Sequence, residues 1–292
     1  MYSRIWQVGL DIQTDSVRAL AALRQRNGWK ICHYWQQCLP AGVLSHGNLQ
    51  QPEALSDILQ QWSVQLPRKI SLRIAFPAQR VLQQTLPVPD QRLREPERSW
   101  FINAAAARQF PLDSQVLALD YRLDPTDNTR LRVTAARQDE LQRWQRALQR
   151  ANLTPHVIDI APCALHSMAA AAGLLPQRLL VHRLADAWLW VSPLDAPFQY
   201  GLITPEQGST VPDALQQLCL FYSSGSPGSP ELRELTGIYY CSTVLDEPIP
   251  EQALAWSPFS VFKCMHLTLP SLPAAFVLAG GLALRSMDNE DG

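Results

Sequence analysis

The opening of the chain alternates between apolar and polar positions, as β-strands with one buried face do. The apolar positions of the first stretch are Val8, Leu10 and Ile12. Short polar side chains at residues 14–16 predict a tight turn, because they can hydrogen-bond to the nearby backbone. The alternation resumes at residues 17–23 and 31–39, so the opening segment predicts a three-stranded meander.

The next part of the chain alternates between helix-like and strand-like stretches. Apolar residues three or four positions apart predict helices at 51–66, 92–109, 138–151 and 163–172. Short apolar or alternating runs predict strands at 71–77, 81–86, 116–123, 131–136 and 156–160. This succession of strands and helices is typical of an α/β protein.

Further along the chain the opening pattern returns in a weaker form. Strand-like runs at 179–181 and 188–191 flank a turn, which indicates an internal duplication. Residues 222–230 are rich in Ser, Gly and Pro and predict a loop, and residues 249–273 predict irregular structure. An apolar run at 276–285 predicts a closing strand or the start of a helix, followed by an acidic tail.

Composition and charge narrow the classes of protein to which the chain can belong. The chain has 292 residues, of which 47% are hydrophobic, and this length suggests about two domains. Its 25 basic and 26 acidic residues nearly cancel, so bulk charge gives no reason to bind nucleic acid. We therefore expect no direct contact with nucleic acid.

The cysteines and the N-terminal segment predict a cytoplasmic location. The six cysteines are scattered without a CxxC pair, which favours free thiols in a reducing compartment. Asp11 and Asp15 interrupt the opening segment, which is therefore no secretory signal. The longest weakly polar stretch, residues 161–175, is too short to cross a bilayer. We expect a cytoplasmic protein that reaches a membrane only through a partner.

Common catalytic and metal-binding motifs are absent from the sequence. There is no GxxxxGK(S/T) loop, which excludes a P-loop ATPase, and there is no HExxH, GxSxG or GxGxxG. The six histidines lie far apart and lack metal-ligand spacing. The sequence therefore nominates no catalytic residue and no metal site.

Residues 8–18 form the segment with the clearest chemical potential. An Asp just before a turn of small and hydroxylated residues can hold a magnesium-bound water, while the backbone amides of the turn cradle phosphate groups. The same residues also suit an ordinary β-hairpin turn. From these residues alone, both interpretations stand.

This segment resembles the first phosphate motif of the actin-like pilus-assembly proteins of the PilM type, G-(I/L)-D-I-G-S-x-S-V-K. The matching positions are Gly9, Leu10, Asp11, Ile12, Ser16 and Val17, with Arg18 in place of the lysine. Further similarity follows in the order of the family at 74–77, 86–87, 133–137, 151–155, 157–159 and 281–285. Residues 76–83 and 133–141 are especially similar to the enterobacterial HofM subgroup, which is associated with DNA utilisation.

The resemblance implies an α/β fold of the duplicated actin-like, ribonuclease-H-like type with a small inserted α+β subdomain. Residues 1–77 and 155–178 would form the first half, residues 78–154 the insertion and residues 179–292 the second half. The return of the opening pattern in the second half agrees with such a duplication.

Three departures from the family pattern affect the nucleotide site. Gln13 replaces the turn glycine that lets the backbone approach a phosphate. In the second phosphate motif, His182 and Leu184 stand at the Asp and Gly positions. Residues 237–242, which align with the adenosine motif in the order of the family, lack its Gly-Gly pair. The pair at residues 280–281 either replaces it or belongs to a closing helix.

The nucleotide-binding residues that the resemblance implies are Gly9, Asp11, Thr14, Ser16, Gly280 and Gly281. Because two of the three motifs lack key residues, we expect a degenerate site that neither hydrolyses ATP nor holds ATP and magnesium tightly. A functional ATP-binding switch or ATPase in the same machine is the alternative. A sugar-kinase-like enzyme with Asp159 as its catalytic carboxylate is a third interpretation, from another class.

The resemblance also implies a partner. In the family, a cleft beside the inserted subdomain holds the N-terminal peptide of a PilN-type bitopic inner-membrane protein. We therefore expect a cytoplasmic scaffold of a type IV pilus or DNA-uptake machine, recruited to the inner face of the inner membrane. The expected groove residues are Arg73, Arg80, Trp100 and Phe101. Trp100 and Phe101 could instead be core residues of their helix.

Overall fold

A computed structural model of the chain describes residues 5–90, 92–111, 114–124, 127–204, 237–251, 253–262 and 267–285. The loop predicted at 222–230 and the acidic tail lie outside these residues. The proline-rich stretch at 249–273 is described in part.

The elements are numbered here in chain order. The strands are β1 (Trp6–Ile12), β2 (Ser16–Gln25), β3 (Gly28–Cys38), β4 (Leu44–Ser45), β5 (Asn48–Leu49), β6 (Ile70–Phe76), β7 (Val81–Pro87), β8 (Leu117–Leu123), β9 (Arg130–Arg137), β10 (Pro155–Ile160), β11 (Leu179–Arg183), β12 (Trp188–Val191), β13 (Tyr200–Ile203), β14 (Ile238–Ser242) and β15 (Ala253–Ala255). The helices are α1 (Pro52–Ser63), α2 (Glu97–Ala107), α3 (Gln138–Arg150), α4 (Ala161–Ala171) and α5 (Val277–Leu284). The closing apolar run is therefore a helix, which was one of its two predicted states.

Two five-stranded sheets have the same topology, which confirms the duplicated actin-like fold. The first sheet has the order β10-β6-β1-β2-β3, and the second has the order β15-β14-β11-β12-β13. In each sheet an antiparallel meander is extended on one side by two parallel strands. The predicted opening meander and its weaker copy occupy equivalent places in the two sheets.

The first sheet buries both faces. Val8, Leu10 and Ile12 pack with α1 and α3 in one core cluster. Residues on the other face, such as Leu20, pack with Ala279 and Ala283 of α5. The period of two along β2 divides its residues between the two cores, with Ala19 and Ala21 in the first and Leu20 and Ala22 in the second.

Helices α4 and α5 lie against the second sheet. The cluster that joins them contains Leu165 and Met168 of α4, Leu278 of α5, and Leu180 and Leu189 of the sheet. None of the described helices is long and apolar enough to cross a membrane.

A third, smaller sheet has the antiparallel order β7-β9-β8. Ile102 and Ala106 of α2 pack on one of its faces. Helix α3, which follows β9 directly, packs instead on α1, with Trp144 and Leu148 buried in the core of the first sheet. The division of the chain at 1–77 with 155–178, 78–154 and 179–292 stays a prediction.

Candidate functional site

The two hairpin turns that correspond to the phosphate motifs touch each other. The turn between β1 and β2 carries Thr14, and the turn between β11 and β12 carries Asp186. The Thr14 hydroxyl donates a hydrogen bond to Asp186 Oδ2 at 2.7 Å, across 172 residues of sequence. The tips of the two halves are therefore joined by protein groups at the place where a phosphate would lie between them.

Little space remains between these turns. The cavity there has a volume of about 20 Å³ and is lined by Ile12, Gln13 and Thr14 and by Leu184, Leu189 and Leu202 of the second half, among others. Such a volume accommodates about one water molecule. Leu184, which stands at the Gly position of the second motif, contributes an apolar wall where the motif requires an approachable backbone.

Asp11 is fully buried and is held by its neighbour. The Gln13 side-chain amide donates a hydrogen bond to Asp11 Oδ1 at 2.6 Å, and Oδ2 has no hydrogen-bond partner among the described residues. Burial raises the pKa of the Asp11 carboxyl to about 6, against the lowering effects of the Gln13 bond and the Arg18 charge. A carboxyl in this environment is poorly suited to bind magnesium, which prefers ionised oxygen ligands that keep their hydration.

His182 faces the same buried region from β11. Its Nδ1 lies 3.0 Å from Cys241 Sγ, and its Nε2 has no hydrogen-bond partner. Burial, reinforced by the positive charge of Arg18, lowers the pKa of His182 to about 3. A neutral imidazole thus occupies the position of the carboxylate in the second phosphate motif.

Arg18 itself is buried, and its Nη2 lies 3.5 Å from Asp15 Oδ2. Ser16 is also buried, and its hydroxyl has no hydrogen-bond partner.

Three of the predicted nucleotide-binding residues are glycines that let helices approach closely. A Cβ at Gly9 would lie 2.0 Å from the carbonyl oxygen of Ala279 in α5. A Cβ at Gly281 would lie 1.8 Å from the carbonyl oxygen of Ala164 in α4, and one at Gly280 would lie 2.8 Å from Met168 Sδ. Packing against helix backbone therefore requires glycine at residues 9 and 281, whereas at Gly280 the Met168 side chain would have to move. Among the described residues, the bonded turns and the small cavity leave no room for a phosphate group between the two hairpins.

A larger cleft lies between the three-stranded sheet and the first half. Its volume is about 410 Å³. Its walls come from β7, β8 and β9 on one side and from β10 and the start of α4 on the other, and they include Ala118, Leu119, Asp120, Arg132, Thr134, Ile158, Asp159 and Cys163. We call this cleft the groove.

Two edge strands of the described sheets border the groove from opposite sides. Strand β8 is an edge of the three-stranded sheet, and β10 is an edge of the first sheet. Consecutive residues of both strands, 118–120 and 158–160, line the cleft, so both strands run along it rather than turning only one face toward it. Such edges present backbone donors and acceptors to an added strand.

The charged side chains of the groove are paired within the chain. Arg122 lies 3.2 Å from Asp120, Arg132 lies 3.1 Å from Asp124, and Asp159 lies 2.7 Å from Arg285 at the end of α5. Burial and the neighbouring Asp159 raise the pKa of Cys163 well above its usual range, which keeps the thiol neutral. The buried pairing of Asp159 with Arg285 gives no support to a role as a kinase base.

The four predicted groove residues do not line this cleft. Arg73 is buried on the sheet face against α5, where it donates hydrogen bonds to Gln7 Oε1 at 3.0 Å and to the carbonyl oxygen of Ala283 at 3.3 Å. Burial lowers its pKa to about 10. A guanidinium in this position holds the last turn of a helix and is not available to a partner.

The other three predicted residues are accessible but lie elsewhere. Arg80 makes a two-bond ion pair with Glu140 of α3. Trp100 and Phe101 are 65% and 51% exposed on α2, which buries Ile102 and Ala106 against the sheet. The two aromatic residues therefore belong neither to the groove nor to the core.

Comparison with known proteins gives the family and one curated relative. The sequence profile of the family described as type IV pilus assembly protein PilM matches residues 9–185. DNA utilization protein HofM of Escherichia coli (strain K12) is 31% identical over 197 residues, which cover 66% of this chain and 73% of that protein.

Solved structures share the fold. A chain of a PilM–PilN type IV pilus biogenesis complex superposes with a TM-score of 0.74 at 18% identity, over 97% of this chain and 98% of that chain. The cytoplasmic domain of EpsL, an inner-membrane component of the type II secretion system of Vibrio cholerae, gives 0.55 at 12% identity, over 97% and 96%. These similarities show the actin-like fold, and the profile match over most of the chain shows the family. The chain therefore belongs to the type IV pilus assembly protein PilM family.

Proposed function

We propose that this protein is an actin-like scaffold of a type IV pilus or DNA-uptake machine. In this proposal it holds the extended N-terminal tail of a PilN-type bitopic inner-membrane protein in the groove. It would then lie in the cytoplasm, at the inner face of the inner membrane, and reach the membrane through that partner. Membership of the PilM family, the likeness to HofM and the fold shared with a chain of a PilM–PilN complex support the proposal.

The groove between β8 and β10 is the single observation that carries the proposal. An extended segment can add to an exposed strand edge, where the main chain supplies affinity and alternate side chains supply specificity. The walls offer apolar surface at Leu119 and Ile158, and the charged groups beside them already have partners in the chain. An apolar, uncharged stretch of tail can therefore enter without leaving a buried charge unpaired.

The nucleotide site is, in this proposal, degenerate, and the protein is not an enzyme. The bond from Thr14 to Asp186, the cavity of about 20 Å³ and the amide of Gln13 on Asp11 all support this. The alternative is an ATP-binding switch that uses Asp11, whose free Oδ2 is the observation in its favour.

Fluorescence anisotropy with a labelled peptide that copies the N-terminal tail of a PilN-type partner tests the proposal. We expect saturable binding at micromolar concentration and no binding of a scrambled peptide. Ala118→Arg places a long side chain in the groove and should abolish binding. Val116→Arg, two residues away at an exposed position outside the groove lining, is the matched control and should bind normally. Failure of the native peptide to bind at high micromolar concentration would contradict the proposal.

A further inference from the structure

Arg132 connects the groove wall to the second half of the molecule. It lies on β9, the central strand of the three-stranded sheet, and lines the groove. Its Nη2 lies 3.1 Å from Asp124 Oδ2, and its guanidinium carbon lies 4.4 Å from the centre of the Phe198 ring. Phe198 belongs to the segment between β12 and β13 of the second sheet. This contact is a cation–π interaction between two parts of the fold that are distant in sequence.

The Phe198 ring is itself held in place. His166 of α4 meets it edge-on at 5.4 Å between ring centres, and Tyr200 lies 5.9 Å away. The next residue, Gln199, is bonded to Ser192 twice: its carbonyl oxygen accepts from the Ser192 backbone amide at 2.9 Å, and its own amide donates to Ser192 Oγ at 3.0 Å. Because the ring and its backbone are held by the second sheet and by α4, Phe198 offers Arg132 a contact at a fixed position.

The two ends of the three-stranded sheet are held differently. At one end β9 runs directly into α3, and the ion pair of Arg80 with Glu140 lies beside this connection. Arg132 lies five residues before the end of β9, roughly 17 Å along an extended strand. The contact with Phe198 therefore acts far from the covalent connection, where the sheet can swing most.

We infer that Phe198 is a positioning residue for the groove: through Arg132, the second half braces the far end of the three-stranded sheet and sets the distance between β8 and β10. This inference rests on the proposed function for the identity of the bound segment. Its consequence is that occupancy of the groove and the position of the second half are coupled, and such coupling is reciprocal. Phe198 does not line the groove, and Arg132 is the groove residue that its ring contacts directly.

Two variants of the full chain, Phe198→Leu and Phe198→Tyr, distinguish the ring contact with Arg132 from the filling of apolar volume. Leucine keeps an apolar side chain but removes the ring face, whereas tyrosine keeps the ring. We expect Phe198→Leu to weaken binding of the partner peptide about fivefold and Phe198→Tyr to bind within about twofold of wild type. In an Arg132→Met background, Phe198→Leu should cause no further loss, because the pair acts as one unit.

Hydrogen exchange without peptide provides a second readout. Phe198→Leu should accelerate exchange of the amides in β8 and β9 and leave β1 and β2 unchanged, and Phe198→Tyr should not. If wild type does not bind the peptide but the amides of Phe198→Leu exchange faster as expected, the proposed function is wrong and the positioning role of Phe198 is still supported. Two results would overturn the inference. One is an exchange rate in β8 and β9 of Phe198→Leu equal to that of wild type. The other is a wild type that binds the peptide and a Phe198→Leu variant that binds it with the same affinity.

Discussion

Two clefts in the described part of the chain differ in volume and in the groups that border them. The cleft between the hairpin turns has a volume of about 20 Å³ and is bridged by the bond from Thr14 to Asp186. The groove beside the three-stranded sheet has a volume of about 410 Å³ and is bordered by two free strand edges. Of these two clefts in the described part of the chain, the groove has room for an extended peptide, whereas the cleft between the turns holds about one water molecule.

The glycines of the predicted nucleotide site can serve either ligand binding or helix packing. Gly9, Gly280 and Gly281 were predicted to bind nucleotide, yet a Cβ at Gly9 or Gly281 would collide with the backbone of a helix, and one at Gly280 would press on the Met168 side chain. Their presence follows from the close approach of α4 and α5 to each other and to β1.

The largest expected effect comes from Gly281→Ala. The new methyl group would lie 1.8 Å from the carbonyl oxygen of Ala164, so α4 and α5 must separate. We expect a loss of at least about 3 kcal/mol in the free energy of unfolding, measured with urea.

Gly173→Ala is the control, because nothing lies within 4 Å of its Cβ position and only its backbone φ of +64° opposes the change. It should cost about 1 kcal/mol. A Gly281→Ala protein of wild-type stability would break the packing interpretation and return this glycine to a ligand-binding role.

Asp11→Asn should stabilise the protein at neutral pH. The pKa of Asp11 is raised from 3.8 to about 6, so the folded protein keeps a proton that the unfolded chain releases. Stability therefore falls as the pH rises from about 4 to about 6, and above this range the ionised carboxyl costs about 3 kcal/mol. Asparagine removes this cost, so the gain should be full at pH 7.5 and should disappear near pH 4.

Urea unfolding of wild type and Asp11→Asn across this pH range checks the prediction. A stability gain of Asp11→Asn that is the same at every pH would show that the gain does not come from the ionisation of Asp11. A loss of stability at pH 7.5 would mean that the carboxylate has a partner that stabilises its charge.

His182 should produce the opposite pH dependence. Its pKa is lowered from 6.5 to about 3, so the unfolded chain takes up a proton first as the pH falls. Stability is therefore lost below pH 6.5, by about 2 kcal/mol at pH 5. His182→Gln, which cannot be protonated, should lack this loss between pH 6.5 and 5, and urea unfolding of both proteins measures it. An identical pH profile in the two proteins would show that the imidazole is hydrated.

Thr14→Val should have the smallest effect. It removes the hydroxyl that bonds to Asp186 and keeps the shape of the side chain, so we expect a loss of about 1 kcal/mol in the free energy of unfolding. Thr14→Ser retains the donor and serves as the control. If Thr14→Val left the free energy of unfolding unchanged and allowed nucleotide to bind, the bond between the turns would be one that opens to admit a ligand.

The sequence predicted the parts of this molecule that depend on local pattern. The alternation at Val8, Leu10 and Ile12 predicted β1 and its meander, and the weaker copy predicted the second sheet. Gln13 and Leu184 were visible as departures from the phosphate motifs. Their contacts, the amide on Asp11 and the apolar wall, follow from the turns in which they lie.

The groove residues could not be predicted in this way. Whether β8 and β10 are edges depends on the order of pairing in two sheets, which no local pattern encodes. Arg73 seemed available because it is charged, but its place in β6 opposite Gly9 puts it under α5. A polar residue inside an otherwise apolar strand was the only signal of such a buried role.

Thermal unfolding of one preparation with either ligand tests the central contrast between the clefts most directly. At about 100 times the dissociation constant, a ligand stabilises the folded protein by about 2.7 kcal/mol, a shift of several degrees in the unfolding midpoint. We predict such a shift with the partner's N-terminal peptide and none with millimolar Mg-ATP. A shift with Mg-ATP that is lost in Asp11→Ala, together with none from the peptide, would contradict the account.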